Sequence, residues 1–164
     1  MKKFELTSEF VTFLGKTLFR IKALVSFGDV AKGELGGFIE REDNLDQSGD
    51  AWVCGNAKVF GNARVCGDAW VYGNARVYGD AKVFGNAWVQ NCRDYSATSC
   101  FGSKNRTTTF FRTKDGGISV RCGCFYGTLR EFREKVKERH GDSRLAKEYL
   151  MLADLMEFRL SKDE

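Results

Sequence analysis

Residues 53–88 read VCGNAK, VFGNAR, VCGDAW, VYGNAR, VYGDAK, VFGNAW, six consecutive units that obey V-x-G-[N/D]-A-x without a miss. A partial unit, Ser48-Gly49-Asp50-Ala51-Trp52, precedes them. Repetition at a fixed period decides a fold before individual propensities do. An α-helix is excluded, because Gly at every sixth position costs about 1 kcal/mol each time and a period of six gathers Val on no single helical face. A meander of hairpins is disfavoured, because each unit is too short for a strand, a turn and a return. What remains is a coil of very short strands. Val is β-branched and suits a strand facing a core. Ala, four positions on, points inward where only a small side chain fits near a corner. Gly followed by Asn or Asp supplies the corner, since these residues tolerate positive φ.

The unit resembles the hexapeptide repeat of left-handed parallel β-helices, in which three sixes make one triangular turn of 18 residues. The inner Val, the corner Asn or Asp and the small Ala all match. One departure is the residue after the Val, usually small in that family and here Phe, Tyr or Cys. An 18-residue turn implies ladders spaced as in any sheet: Val53, Val71 and Val89 inside, likewise Val59 with Val77 and Val65 with Val83. Outside, all three tryptophans, Trp52, Trp70 and Trp88, fall on one ladder beside Cys54, Tyr72 and Gln90, a face with no charge. The second face carries Lys58, Arg76, Phe60 and Tyr78, and the third Arg64, Lys82, Cys66 and Phe84. Three stacked indoles are too apolar to leave wet. The C-terminal helices or another subunit should cover them. The resemblance implies a homo-oligomer, a trimer by preference, and a ligand shelf is the functional alternative.

The flanks complete a mainly β protein with C-terminal helices, in three parts: an N-terminal β-hairpin cap over 1–34, the β-helix over 35–101, and a hairpin with two helices over 102–164. The alternation of Phe10 to Phe13 and of Thr17 to Val25 about Gly15-Lys16 reads as the hairpin, because solenoid ends need covers. Ile39 and Leu45 suggest an irregular first turn, and Val89, Tyr95 and Phe101 keep the spacing of six at the other end. Thr107 to Arg112 and Ile118 to Cys122 flank Lys114-Asp115-Gly116-Gly117, a strong hairpin signal. Thr128-Leu129-Arg130-Glu131 is a capping box opening a helix that ends near Gly141. Asp142 or Ser143 caps a second helix, whose Leu145, Tyr149, Leu152 and Met156 form a core face.

The net charge of +4 is uneven. Residues 1–102 balance at 12 basic and 12 acidic side chains, whereas residues 103–139 carry 10 basic and 4 acidic. The local excess points to an anionic partner. For the helix cations between Arg130 and Arg139, a solvated face is an equally good reading. In the segment before it, Lys104, Arg106, Thr108 and Thr109, with Arg112 and Arg121, supply Arg forks and hydroxyls of the kind that hold phosphate. Tyr78 or Trp70 could stack a base. The bland alternative is that the threonines merely suit a strand.

No Ser-His-Asp set, carboxylate pair or phosphate-binding Gly loop of recognised form occurs. The one histidine, His140, lies at a helix end, where the dipole favours it, and not on a coil, where the acyltransferases of the hexapeptide-repeat family keep their base. No metal or cofactor is expected. Cys92, Cys100, Cys122 and Cys124 contain no C-x-x-C pair, so buried or half-buried free thiols are the reading and a zinc site the weaker alternative. No stretch is long and apolar enough for a membrane span or a signal peptide, so a soluble cytoplasmic protein is expected.

The chain as a whole looks like a group of small hexapeptide-repeat proteins of phages and prophages of gut bacteria. The carrying residues are Phe4-Glu5-Leu6, Gly28-Asp29-Val30, Leu35-Gly36-Gly37-Phe38-Ile39-Glu40, the repeat, Gly102-Ser103-Lys104 through Thr109-Phe110, Cys122-Gly123-Cys124-Phe125 and Gly127-Thr128-Leu129. That likeness implies a non-enzymatic protein of the host bacterial cytoplasm that sequesters a small phosphate-bearing ligand, a nucleotide immune signal, against host defence. The alternatives are a coenzyme A-dependent acyltransferase and an inhibitor binding a host protein or nucleic acid through the basic C-terminal third.

Overall fold

The computed structural model describes residues 1–162. The repeat forms seven two-residue strands, one per unit: β4 (Trp52–Val53), β5 (Lys58–Val59), β6 (Arg64–Val65), β7 (Trp70–Val71), β8 (Arg76–Val77), β9 (Lys82–Val83) and β10 (Trp88–Val89). They follow β1 (Phe4–Phe13), β2 (Lys16–Ala23) and β3 (Leu35–Ile39). The ladders between coils are parallel, and from β4 onward they pair residues 18 apart: Trp52, Trp70 and Trp88 on one face, Lys58 with Arg76 and Arg64 with Lys82 on the others. The interior is a column of fully buried Val and Ala, from Ala51 and Val53 to Ala87 and Val89. At the corners the glycines take a positive φ that favours glycine. Gly67, with φ near +71°, lies under the next coil so closely that a Cβ would sit 2.9 Å from the Gly85 nitrogen.

The first coil is irregular, as Ile39 and Leu45 suggested. Ile39 pairs with Val59 and Leu45 with Val65, an offset of 20 residues, before Trp52 restores 18. The extra residues fall at Asp46–Gly49, and they serve the N-terminal cover. Gln47 Oε1 accepts from the backbone N–H of Lys3 and Phe4, and the Lys3 ammonium donates to the carbonyls of Ser48, Gly49 and Ala51. Burial pushes the Lys3 pKa below its ordinary value, opposed by the nearby carboxylates of Asp46 and Asp50. β1 and β2 form the expected hairpin, and β3 joins it to the coils, antiparallel to β2 and parallel to β5. Glu40, just past β3, accepts from the Gly61 N–H at 2.7 Å and pairs with Lys16, which together hold its carboxyl below the usual range.

Neither a C-terminal helix nor anything beyond the chain is needed to cover Trp52. It is fully buried under the segment linking β2 to β3, with Phe27 edge-on at 5.3 Å. Trp70 and Trp88 stay half-buried and stack on each other at 5.7 Å, with the Lys114 ammonium 5.2 Å above Trp88.

The coils end at β10. Tyr95 and Phe101, expected to extend the repeat, instead bound β11 (Tyr95–Phe101), which runs antiparallel to β12 (Arg106–Arg112). With β13 (Ile118–Cys122) and β14 (Phe125–Thr128) these make a four-stranded antiparallel sheet in sequence order, two strands more than the hairpin the sequence suggested. This sheet closes the open end of the coil stack. Phe111 enters the core and is fully buried, Thr109 Oγ1 accepts from the Lys82 N–H, Tyr95 donates to the Arg76 carbonyl, and Ala87 bridges Thr113. On its far side pack α1 (Leu129–His140), opened by the Thr128/Glu131 capping box, and α2 (Arg144–Leu160), capped by Ser143. Tyr149, Leu152 and Met156 are buried there as the periodicity predicted, with Leu145 half-buried.

If Phe111 is the plug of the coil stack, Phe111→Ala should cost about 3–5 kcal/mol, read from the urea midpoint at unchanged slope. A loss below about 1 kcal/mol would show that the sheet does not close the core.

Candidate functional site

The eight residues singled out by sequence do not form one site. Strand alternation separates them. Thr108 is buried on the helix side of the sheet and donates its hydroxyl to Cys122 Sγ at 3.2 Å, whereas Thr109, buried on the solenoid side, is committed to Lys82. Arg112 pairs with Asp94 at 3.0 Å and donates to the carbonyls of Leu160 and Ser161, so it pins the end of α2. Arg121 lies over the Phe84 ring, 5.0 Å from its centroid. Tyr78 is exposed and stacks on Phe60, and Trp70 stacks on Trp88; both belong to coil faces.

Lys104 and Arg106 do come together, in a cavity of about 280 Å³ between the β11–β12 turn, the β13–β14 turn and the helices. Facing them on α1 are Lys135, Arg139 and His140. The floor is apolar: Phe132 and Val136 are buried, and Phe125 is half-buried beside Cys122. Phe101, 40% exposed, borders the opening. Among the described residues, no Asp or Glu lines it. The negative end of the α1 dipole works against an anion here, and the basic side chains of its last turns oppose that end.

The walls are held by hydrogen bonds and ring packing. The Gly102 N–H donates to Glu148 Oε1 and the Ser103 N–H to Tyr149 Oη, each at 3.2 Å, which latches the β11–β12 turn to α2. A Cβ at Gly102, where φ is near +76°, would lie 1.8 Å from the Tyr149 oxygen. His140 stacks on Tyr149 at 5.6 Å, and Tyr149 meets Phe132 edge-on at 5.9 Å. Sequence reasoning assigned His140 to a helix end and Tyr149 to the core. Both assignments hold, and both residues also line the cavity. The signal that could have added α1 was the charge excess of residues 103–139, whose helix part reads equally well as a solvated face.

The cysteines contribute no disulfide. Cys54, Cys66 and Cys122 are half-buried, and burial pushes the Cys54 thiol up to about 11, which keeps it protonated and unreactive. Cys92, Cys100 and Cys124 are exposed, contrary to the expectation of buried or half-buried thiols throughout.

Coils of 18 residues stacked in parallel around a Val/Ala column, capped at one end by a hairpin continuous with a coil face and at the other by a separate sheet, define a β-solenoid repeat protein. Residues 57–73 and 69–83 match a family model described as the YdcK beta solenoid repeat, which covers the centre of the coil stack. No curated protein matches the chain. Among the described residues, no helix is long and apolar enough to cross a membrane.

Tyr149→Phe should free the β11–β12 turn. Its expected effect is about tenfold faster exchange of the Ser103 amide with a global loss of at most about 1 kcal/mol. Unchanged exchange would mean that the phenol does not hold the turn.

Proposed function

We propose that this solenoid is a non-enzymatic binding protein that sequesters a small phosphate-bearing ligand, a nucleotide immune signal, on behalf of a phage countering host defence. The observation that carries the reading is the cavity in which Lys104, Arg106, Lys135, Arg139 and His140 converge over an aromatic floor. Arg forks grip phosphate oxygens in pairs, and aromatic faces beside cations suit a base. The phage setting, the host bacterial cytoplasm as location and a left-handed sense of the coil rest on the resemblance of the whole chain to small phage hexapeptide-repeat proteins. Against an acyltransferase stands the position of His140, at the end of α1 and stacked on Tyr149. A second reading, an inhibitor docking on a host protein, is favoured by Met151, Leu155 and Phe158, which leave 72%, 56% and 85% of their surface exposed along one stripe of α2.

Calorimetry against cyclic and ADP-ribose-type nucleotides should find at least one that binds at tens of micromolar or tighter, about −6 kcal/mol or better. Heat denaturation should return it chemically unaltered. Absence of any binding removes the nucleotide reading, and a hydrolysed product makes the protein an enzyme.

The half-buried Trp70, Trp88 and Tyr72 remain an aromatic face suited to association, with the Lys114 ammonium over its Trp88 end, and we assign the protein a homo-oligomeric state, a trimer. Light scattering should give three times the chain mass, and Trp70→Glu should give monomers. A parent monomeric at micromolar concentration sinks the trimer.

A further inference from the structure

We infer that the cavity admits one nucleotide unit, a single flat ring with a single phosphate-sized group, and that a two-nucleotide signal gains nothing from its second half. This rests on the anion-binding reading above and concerns which ligand fits.

Size is the first argument. At about 280 Å³ the cavity lies at the lower edge of small-molecule sites, roughly 300–1,000 Å³. It opens past Phe101, and its β11–β12 and α1 walls are braced against widening. The β11–β12 turn is held to α2 by the Gly102 and Ser103 amides, and Gly102 already approaches Tyr149 so closely that no Cβ fits. On the opposite side, α1 is locked by Phe132, which packs at 5.7–5.9 Å against Phe125, Phe110 and Tyr149. A site with such walls selects by size, and it needs little ordering on binding.

The second argument is how its chemistry divides. The ring partners are Phe101, partly exposed at the opening, and His140, which is held in place by its stacking on Tyr149. The anion partners are Arg106 and Arg139, from opposite walls, with Lys104 and Lys135 as further charges. Lys135 is itself drawn toward Glu138 at 3.2 Å, so the two guanidinium groups are the main phosphate holders. The lining therefore offers one set of ring partners and one converging set of cations. A cyclic dinucleotide would leave its second base and phosphate outside the braced walls.

The test uses the full chain and calorimetry with adenosine monophosphate, adenosine, inorganic phosphate and a cyclic dinucleotide. The monophosphate should bind, and adenosine and phosphate should each bind at least about tenfold more weakly, since each fills half the site. The dinucleotide should be no more than about tenfold tighter than the monophosphate. Arg106→Gln and Arg139→Gln should each weaken monophosphate binding by about tenfold or more, and Phe101→Ala by about fivefold or more with phosphate binding unchanged. All three side chains lie at the surface or the cavity edge, and Arg130→Gln, outside the cavity, should be silent. A dinucleotide more than tenfold tighter overturns the single-unit inference and leaves nucleotide capture standing. Binding that all three variants leave within twofold overturns the inference by placing the ligand elsewhere. Binding by none of the nucleotides overturns both.

Discussion

Each coil of this protein hydrogen-bonds to its neighbouring coils, and the first and last coils each have one side without a neighbour. Open rungs of backbone donors and acceptors are costly when buried and a template for aggregation when exposed. Much of the chain outside residues 52–90 answers that constraint. At the start, β3 pairs with the second coil and leads the hairpin across the opening, and two extra residues in the first coil let Gln47 and the carbonyls of Ser48, Gly49 and Ala51 meet the Lys3 main chain and ammonium. At the far end β12 crosses the last coil, where Thr109 takes the Lys82 amide and Phe111 fills the column.

The cavity follows from the same closure. A sheet that seals the coils with one face must bury its other face too, and α1 and α2 do so around Phe110 and Val120. The result is a layered arrangement of solenoid end, sheet and helices, in which β12 alternates between two buried faces. That alternation sends Thr109 to the coils and Thr108 to the helices, and it sends Arg121, the partner of Thr109, over Phe84. Lys104 in the β11–β12 turn and Arg106 at the start of β12 escape both layers and reach the helix cations. The threonines that looked like ligand donors are therefore the fasteners of the closure.

Much of this was legible in the residues. The period of six predicted parallel ladders at 18-residue spacing, and the three tryptophans stand on one of them. The Lys114–Gly117 turn, the Thr128 capping box, the Ser143 cap and the buried face of α2 appear as their local patterns require. The fourth strand of the C-terminal sheet was not legible, because Cys122 to Thr128 is too short and too rich in Gly to read as a strand by pattern. The cover on Trp52 was missed for a different reason. Phe27 sits in the joint between β2 and β3, which has no periodicity of its own, and only the fold brings it edge-on to the indole.

Local repetition determines local geometry, so the sequence by itself determined the coil, its interior, its ladders and the need for covers at both ends. Contacts between segments far apart in the chain carry no period, so only the tertiary structure decided which segments became the covers. It also decided that Trp52 would be hidden by its own chain, and that cations from a turn and a helix more than twenty residues apart would share one cavity. A ladder repeats because each coil meets a copy of itself. The cavity arises where the turn at Lys104 and Arg106 meets α1 at Lys135, Arg139 and His140, unlike segments with no repeat between them to announce the meeting.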